Sequence, residues 1–262
     1  MKSNYALFIF SLMALFLSSC STPSYFVPAA SGNDIAYLPK PMESDSVKTK
    51  NYISASIAGL SLPYSSGDIN MGFLNYSRGY TFKNINFAYG AFGFAGSTSY
   101  DSSFYGEENE IEGFDGKGIF GGGLRSSIGY YDNAGNAEFR ILSWENALSF
   151  ENGNYSKFRK AMYNLNNPDI ISSTKTTLYT TGISSEIIWH PKKNLKNHFA
   201  IRLFYGFTPG LNNSFSTNIA NNKPKGGAFS SSFYFKLHKF YGLLETGASK
   251  GASAKFSLGH AF

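Results

Sequence analysis

From Asn51 to the final residue, apolar and polar positions alternate with period 2, interrupted by clusters of Gly, Asn and Pro. Such alternation predicts strands with two unlike faces. His198 to Phe207 is the plainest case. Phe199, Ile201, Leu203, Tyr205 and Phe207 share one face, and His198, Ala200, Arg202, Phe204 and Gly206 the other. In 138–150, Leu142, Trp144, Leu148 and Phe150 oppose Ile141, Ser143, Glu145, Ala147 and Ser149. In 178–189, Tyr179, Ile183, Ile187 and Trp189 oppose Thr180, Gly182, Ser184 and Glu186. About ten such segments are predicted, at 51–61, 69–78, 82–95, 117–132, 137–151, 174–190, 197–208, 227–239, 240–250 and 252–262.

A soluble sandwich or a ligand-binding calyx would also alternate, but with the apolar face inward; a membrane barrel turns that face to lipid. Three features favour the inverted arrangement. Pro63, Pro168, Pro191, Pro209 and Pro224 all fall between the segments, as an unbroken ladder requires. The connections alternate, with long ones at 96–116, 152–173 and 209–226 on one side and short ones near 79–81, 133–136, 191–196 and 239–242 on the other, the asymmetry of an outer-membrane barrel. Finally, Phe256, Leu258, His260 and Phe262 share a face and the chain ends on an aromatic. This resembles the carboxy-terminal signal read by the bacterial barrel-assembly machinery, although His260 departs from the usual apolar choice. The resemblance implies that Phe256, Leu258 and Phe262 carry that signal and that the assembly machinery is a partner during biogenesis. The expectation is therefore an all-β, antiparallel up-and-down transmembrane β-barrel of about ten strands over 51–262, with eight or twelve as alternatives.

Composition narrows the class. The 262 residues include 25 Phe, 18 Tyr, 2 Trp and 27 Gly, with 42% hydrophobic residues, too apolar for a disordered chain. The net charge is +6, but Lys and Arg are scattered rather than gathered in a stripe, which argues against nucleic acid as a partner. One Cys excludes a disulfide scaffold. The longest apolar run, 6–17, falls short of the roughly 20 residues of a membrane-spanning helix.

Lys2, the apolar run 6–17 and then Leu17-Ser18-Ser19-Cys20 form an export signal. The last four residues resemble the lipobox of bacterial lipoproteins. That resemblance implies cleavage before Cys20, a thioether diacylglyceryl group on it and acylation of the new amino group. Residues 1–19 are thus expected as signal peptide. Residues 20–50, with Pro23, Pro28, Pro39 and Pro41 and little periodicity, are expected as a lipidated flexible tether. Both termini would then be periplasmic, with outer-membrane lipid as a partner.

Register extends the reading to side-chain pairs. A hairpin centred on Gly135 sets Ile128 against Leu142 outside and Arg125 against Glu145 inside. One centred on Asn194 sets Trp189 against Phe199, Ile187 against Ile201, and Glu186 against Arg202. A turn at Phe240 and Tyr241 sets Lys236 against Glu245. A charge facing a narrow lumen needs a partner or water, so these pairs predict a filled lumen with no continuous pore.

Two long connections carry further chemistry. Asp101, Glu107, Glu108, Glu110, Glu112 and Asp115 crowd 101–117, a solvated acidic loop or a weak divalent-cation site whose spacing matches no known calcium loop. Tyr155, Phe158, Met162 and Leu165 stand at helical spacing, with Lys157, Arg159 and Lys160 elsewhere on the turn, predicting a short helix that caps the mouth or docks a partner. His190, His198, His238 and His260 all map to the short-turn side, far from the acidic loop. No general base therefore stands beside a nucleophile, and catalytic, metal and cofactor sites are expected to be none. Gly121-Gly122-Gly123 reads as a place where lumen or neighbour needs room. The resulting expectation is a lipid-anchored, non-enzymatic structural or interaction component, with a protein partner in a larger envelope complex. A small transport pore and a lipid-modifying barrel enzyme are the alternatives.

Overall fold

A computed structural model describes residues 23–42, 45, 47–106, 110–165, 167–192, 197–216 and 226–262. In chain order the elements are β1 (Ser24–Phe26), β2 (Thr49–Ser61), β3 (Asp68–Phe82), β4 (Ile85–Ser99), α1 (Ser102–Tyr105), β5 (Gly118–Ala134), β6 (Ala137–Gly153), α2 (Asn154–Asn164), β7 (Ile170–Ser172), β8 (Thr177–Trp189), β9 (His198–Phe207), β10 (Gly227–Leu237), β11 (Phe240–Ala248) and β12 (Ala252–Ala261). Ten of the strands close into an antiparallel barrel, with β12 pairing β2; β1 and β7 form a separate parallel pair. α2 is the helix expected from the spacing of Tyr155 and Phe158.

The wall is inverted relative to a soluble barrel. Ile57, Leu74, Trp144, Leu148, Phe150, Leu203, Tyr205, Phe207 and Leu258 are exposed on its outside. Inside lie six buried carboxylates (Asp34, Glu138, Glu145, Glu151, Glu186, Glu245) and seven buried cations (Lys40, Arg125, Arg140, Arg159, Arg202, Lys236, Lys255) among the described residues. Only a hydrocarbon solvent makes that distribution favourable, so this is a transmembrane barrel. β9 has the expected faces throughout, with Arg202 at 1% exposure and Leu203 at 53%.

β6 departs from the expected faces. Its register against β8 shifts between Arg140 and Ser143, a bulge that turns both Ile141 and Leu142 outward. Period 2 had assigned Ile141 to the lumen; one extra residue reverses it. Against β5 two one-residue offsets add: the hairpin turns at Gly135 and Asn136 together, not on Gly135 alone, and the register shifts again between Tyr130 and Asp132, so Ile128 opposes Trp144, not Leu142, and Arg125 opposes Ala147, not Glu145. The β10–β11 hairpin turns at His238 and Lys239, with His238 at φ 58°, two residues before the expected turn; Lys236 therefore opposes Tyr241, not Glu245. The register of β8 against β9 pairs Trp189 with Phe199, Ile187 with Ile201 and Glu186 with Arg202.

The connections divide by length between the two mouths. The strand ends Ser99 and Gly118, Gly153 and Thr177, and Phe207 and Gly227, which the long connections join, share one mouth with the shorter 62–67 and 249–251. The turns 83–84, 135–136 and 238–239 share the other, together with Trp189 and His198 at the facing ends of β8 and β9, the start of β2 and the end of β12.

The larger correction concerns residues 23–42, expected as tether. They are buried inside the barrel, with Phe26, Val27 and Ala29 at 0% exposure. Ser24 pairs with Ile170 at the long-connection mouth, while Thr81 at the short-turn mouth donates to the Pro41 carbonyl at 2.5 Å. The segment thus runs the length of the lumen. The described chain begins at one mouth and ends at the other, where Phe262 donates to the Asn51 carbonyl at 2.9 Å. This departs from the expectation that both ends lie on one side. A segment enclosed on all sides needs no apolar stripe, which is why it lacks periodicity. Cys20 and the signal segment 1–19 lie outside the described residues.

Candidate functional site: the occupied lumen

The segment is held by wall charges that reach its backbone. Near the long-connection mouth, Tyr25 N–H donates to Ser66 Oγ (2.8 Å), Ala29 N–H to Glu151 Oε2 (2.6 Å) and Tyr155 Oη to the Val27 carbonyl (2.8 Å). The other Glu151 oxygen accepts from Arg159, which also donates to the Lys175 carbonyl at 2.9 Å. One carboxylate thereby joins wall, segment and α2. Arg159, which helical spacing sets off the apolar positions, is buried with Tyr155 and Phe158, because the helix lies over the mouth.

At mid-depth, residues 28–34 form a compact turn in which Gly32 sits at φ 77°. Arg125 donates to the carbonyls of Asp34 (2.5 Å) and Asn33 (3.1 Å) and to Asn75 Oδ1 (2.9 Å), and its guanidinium lies 3.8 Å from the centre of the Phe92 ring. Gly121 and Gly123 make room on two sides, since a Cβ would fall 2.1 Å from the Phe150 carbonyl oxygen and 2.6 Å from the Phe94 ring at the first, and 2.2 Å from the Leu148 carbonyl oxygen and 2.8 Å from the Phe92 ring at the second. These two glycines therefore serve both the close approach of β6 and the aromatic rings in the lumen.

Nearer the short-turn mouth, Tyr37 donates its N–H to Glu245 (2.7 Å) and its hydroxyl to Glu186, Lys40 donates to Ser127 Oγ (3.1 Å), and Arg140 donates to the Pro41 carbonyl (3.0 Å). Apolar contacts accompany each level: Tyr25 to Ala30 pack with Phe73, Phe94, Phe114 and Phe158; Ile35 with Ala147 and Phe204; Tyr37 and Met42 with Tyr52, Tyr234 and Tyr241. A cavity lined by Ala36 to Pro39, Arg125, Glu245 and Lys255 measures only about 20 Å³, room for about one water.

The six charges singled out from sequence all face the lumen, but they pair differently. Arg202 binds Glu145 through two nitrogens, Nε to Oε1 at 2.9 Å and Nη2 to the second oxygen. Glu186, opposite Arg202 in the ladder, takes Arg140 at 3.1 Å; Arg140 also binds Glu138 at 2.7 Å. Glu245 pairs with Lys255 at 3.0 Å. Lys236 faces a cavity at the short-turn rim lined by Lys50, Lys239, Phe240 and Phe262. Glu138 and Arg140 share the lumen face with Glu145 only because the bulge intervenes, which period 2 does not show; Glu151 shares it by plain alternation, six residues after Glu145. Lys255 was missed because only the aromatic face of β12 drew attention.

The four histidines lie at the short-turn mouth. His198 Nε2 is 3.4 Å from Asp45 Oδ1, and Lys50 Nζ is 2.8 Å from Asp45 Oδ2. Burial would raise the Asp45 carboxyl, but its hydrogen bonds and charge contacts with His198 and Lys50 hold it well below the usual carboxylate range. At the other mouth, Asp101 accepts from the Ser103 N–H and hydroxyl, and Asp115 from the Tyr100 N–H, local turn bonds within the acidic connection. Glu107 and Glu108 lie outside the described residues. No group of three metal-ligating side chains comes together among the described residues. Phe256, Leu258 and Phe262 are partly or fully exposed on the outer face at the end of β12.

Comparison with known protein families finds none that matches the chain, and comparison with curated proteins likewise finds no match. Among solved structures, the chain is similar to Neisserial surface protein A, at 10% identity and a TM-score of 0.36 over 82% of this chain and 96% of that one. It is also similar to an outer membrane channel from Pseudomonas putida F1, at 11% and 0.40 over 86% and 100%. The outer membrane protease OmpT from Escherichia coli is a third, at 8% and 0.36 over 84% and 99%.

Proposed function

We propose that the chain is a bacterial outer-membrane barrel, lipid-anchored through Cys20, that acts as a sealed, non-enzymatic structural or interaction component of the envelope, with a protein partner in a larger envelope complex. The observation that carries the sealed reading is the passage of residues 23–42 along the lumen, with wall charges bonded to its backbone at every level. Hydrogen bonds to charged groups contribute about 1.5–3 kcal/mol each. A segment held by several of them stays in place on the timescale of solute passage. The buried charges are also nearly balanced in sign, which provides no field to select an ion.

Planar-bilayer recording tests this reading. The full chain should be silent, and a chain lacking residues 24–42 should conduct. Steady conductance by the full chain would favour a transport pore and end the sealed reading. The enzyme alternative draws no support from geometry, because the histidines and the acidic connection occupy opposite mouths. Alanine at all four histidines should leave envelope lipids unchanged.

A further inference from the structure

We propose that the barrel carries its own amino-terminal chain across the membrane and presents it on the face of the long connections, opposite the carboxy terminus. This rests on the reading of the wall as membrane-spanning. The direction follows from two fixed points: Ser24 N–H donates to the Asp169 carbonyl (2.8 Å) within the 154–176 connection, and Thr81 holds Pro41 at the opposite mouth. Between them the path is single and continuous through residues 24–42. In an outer-membrane barrel the long connections face outward, so the chain leaves Pro23 on the cell-surface side.

Two features of the wall fit a built passage rather than a tail that has strayed inward. Gly79 faces the segment where a Cβ would fall 2.7 Å from the Pro39 carbonyl oxygen, and Gly247 faces it where a Cβ would fall 2.9 Å from the Gly32 carbonyl oxygen. Both ends are also clasped, one by the backbone pairing of β1 with β7 and the other by Thr81 and Arg140, which donate to the Pro41 carbonyl.

The consequence concerns the lipobox cysteine. Cys20 precedes Pro23 by three residues, at most about 11 Å of extended chain. A diacylglyceryl group formed there would accordingly be delivered to the long-connection face. The barrel would display its acylated end outward, in reach of the outer leaflet or of a lipid-binding partner at the cell surface.

The test places an epitope between residues 22 and 23 of the full chain. Matched insertions at Gly116, in a long connection, and at Gly135, in a short turn, serve as references; a Cβ at either glycine meets nothing within 4 Å. Antibody binding is read on intact and on permeabilised cells. The expected result is surface signal from the 22/23 and Gly116 epitopes, with the Gly135 epitope silent until permeabilisation. A 22/23 epitope that behaves like Gly135 overturns the inference while leaving the barrel intact. If the Gly116 and Gly135 epitopes behave alike, the membrane-spanning reading falls and the inference with it.

A second variant avoids insertion. Ser31 and Ser249 lie with their Oγ atoms 3.3 Å apart, Ser249 in the 249–251 turn of the long-connection mouth. Ser31→Cys with Ser249→Cys, in the otherwise native chain whose Cys20 sulfur is taken up as a thioether, should form a disulfide that alters gel mobility only without reductant. Failure to cross-link overturns the threaded path. Ser21→Cys in the otherwise native chain, whose Cys20 sulfur is already taken up as a thioether, should react with a membrane-impermeant maleimide on intact cells; protection there until permeabilisation overturns the outward direction.

Discussion

Arg202 and Glu145 bring to one point what a charge inside a narrow barrel requires. Both are nearly unexposed, and their bidentate contact replaces the water each has lost. Removing one partner strands the other, which costs about 3–5 kcal/mol. Arg202→Ala should therefore lower the urea midpoint of the protein refolded in lipid vesicles by that order of stability. Exchanging the pair, Arg202→Glu with Glu145→Arg, should recover part of the loss. The exchange of Arg125 and Glu145, which the simplest hairpin register suggests, should recover nothing, because Arg125 is satisfied by the carbonyls of Asn33 and Asp34. Rescue by that second exchange, and not by the first, would show that the bulge in β6 is misplaced.

At the scale of elements, the strands were legible because half-exposed sheets in two unlike solvents write period 2 into the chain, and β9 shows it without a break. The register was legible between β8 and β9, where no bulge intervenes. It failed between β5 and β6, since a turn at Gly135 and Asn136 together and an extra residue near Ile141 each move the pairing by one, and neither leaves a compositional mark. The lumen segment was illegible for a different reason. Phe26, Val27, Ile35 and Tyr37 are touched by several strands at once, so no face is left polar, and four prolines suggested a linker. What could have betrayed it is the number of inward charges on the wall, more than the wall's own pairs satisfy. Gly79 makes the segment testable: Gly79→Leu must displace the chain at Pro39, Lys40 and Pro41. The barrel strands should survive, as judged by retained heat-modifiable gel mobility, while protease cuts within 35–45 and small currents appear in planar bilayers. Unchanged protection of that segment would show that the close approach at Gly79 is not what seats it.

For the whole molecule, the decisive quantity is the solvent that the outer wall meets. Leu203 stands near the middle of β9 and Phe207 at its long-connection end, both outward and about half exposed. In water, an arginine at either position would be harmless or would aid solubility. In a bilayer the cost depends on depth, about 2–4 kcal/mol at the midplane and about 0–1 near the interface. Leu203→Arg should therefore weaken refolding into lipid vesicles by a few kcal/mol and Phe207→Arg by much less, measured as equilibrium denaturant titrations of otherwise identical chains. The contrast between the two positions matters more than either value, because loss of packing alone would penalise both large side chains similarly. Equal penalties would place the wall in a uniform solvent. The inverted arrangement of Leu, Phe and Trp outside a charged lumen would then lack its physical cause, and the closed ends of the path through residues 23–42 would no longer mark two sides of a membrane.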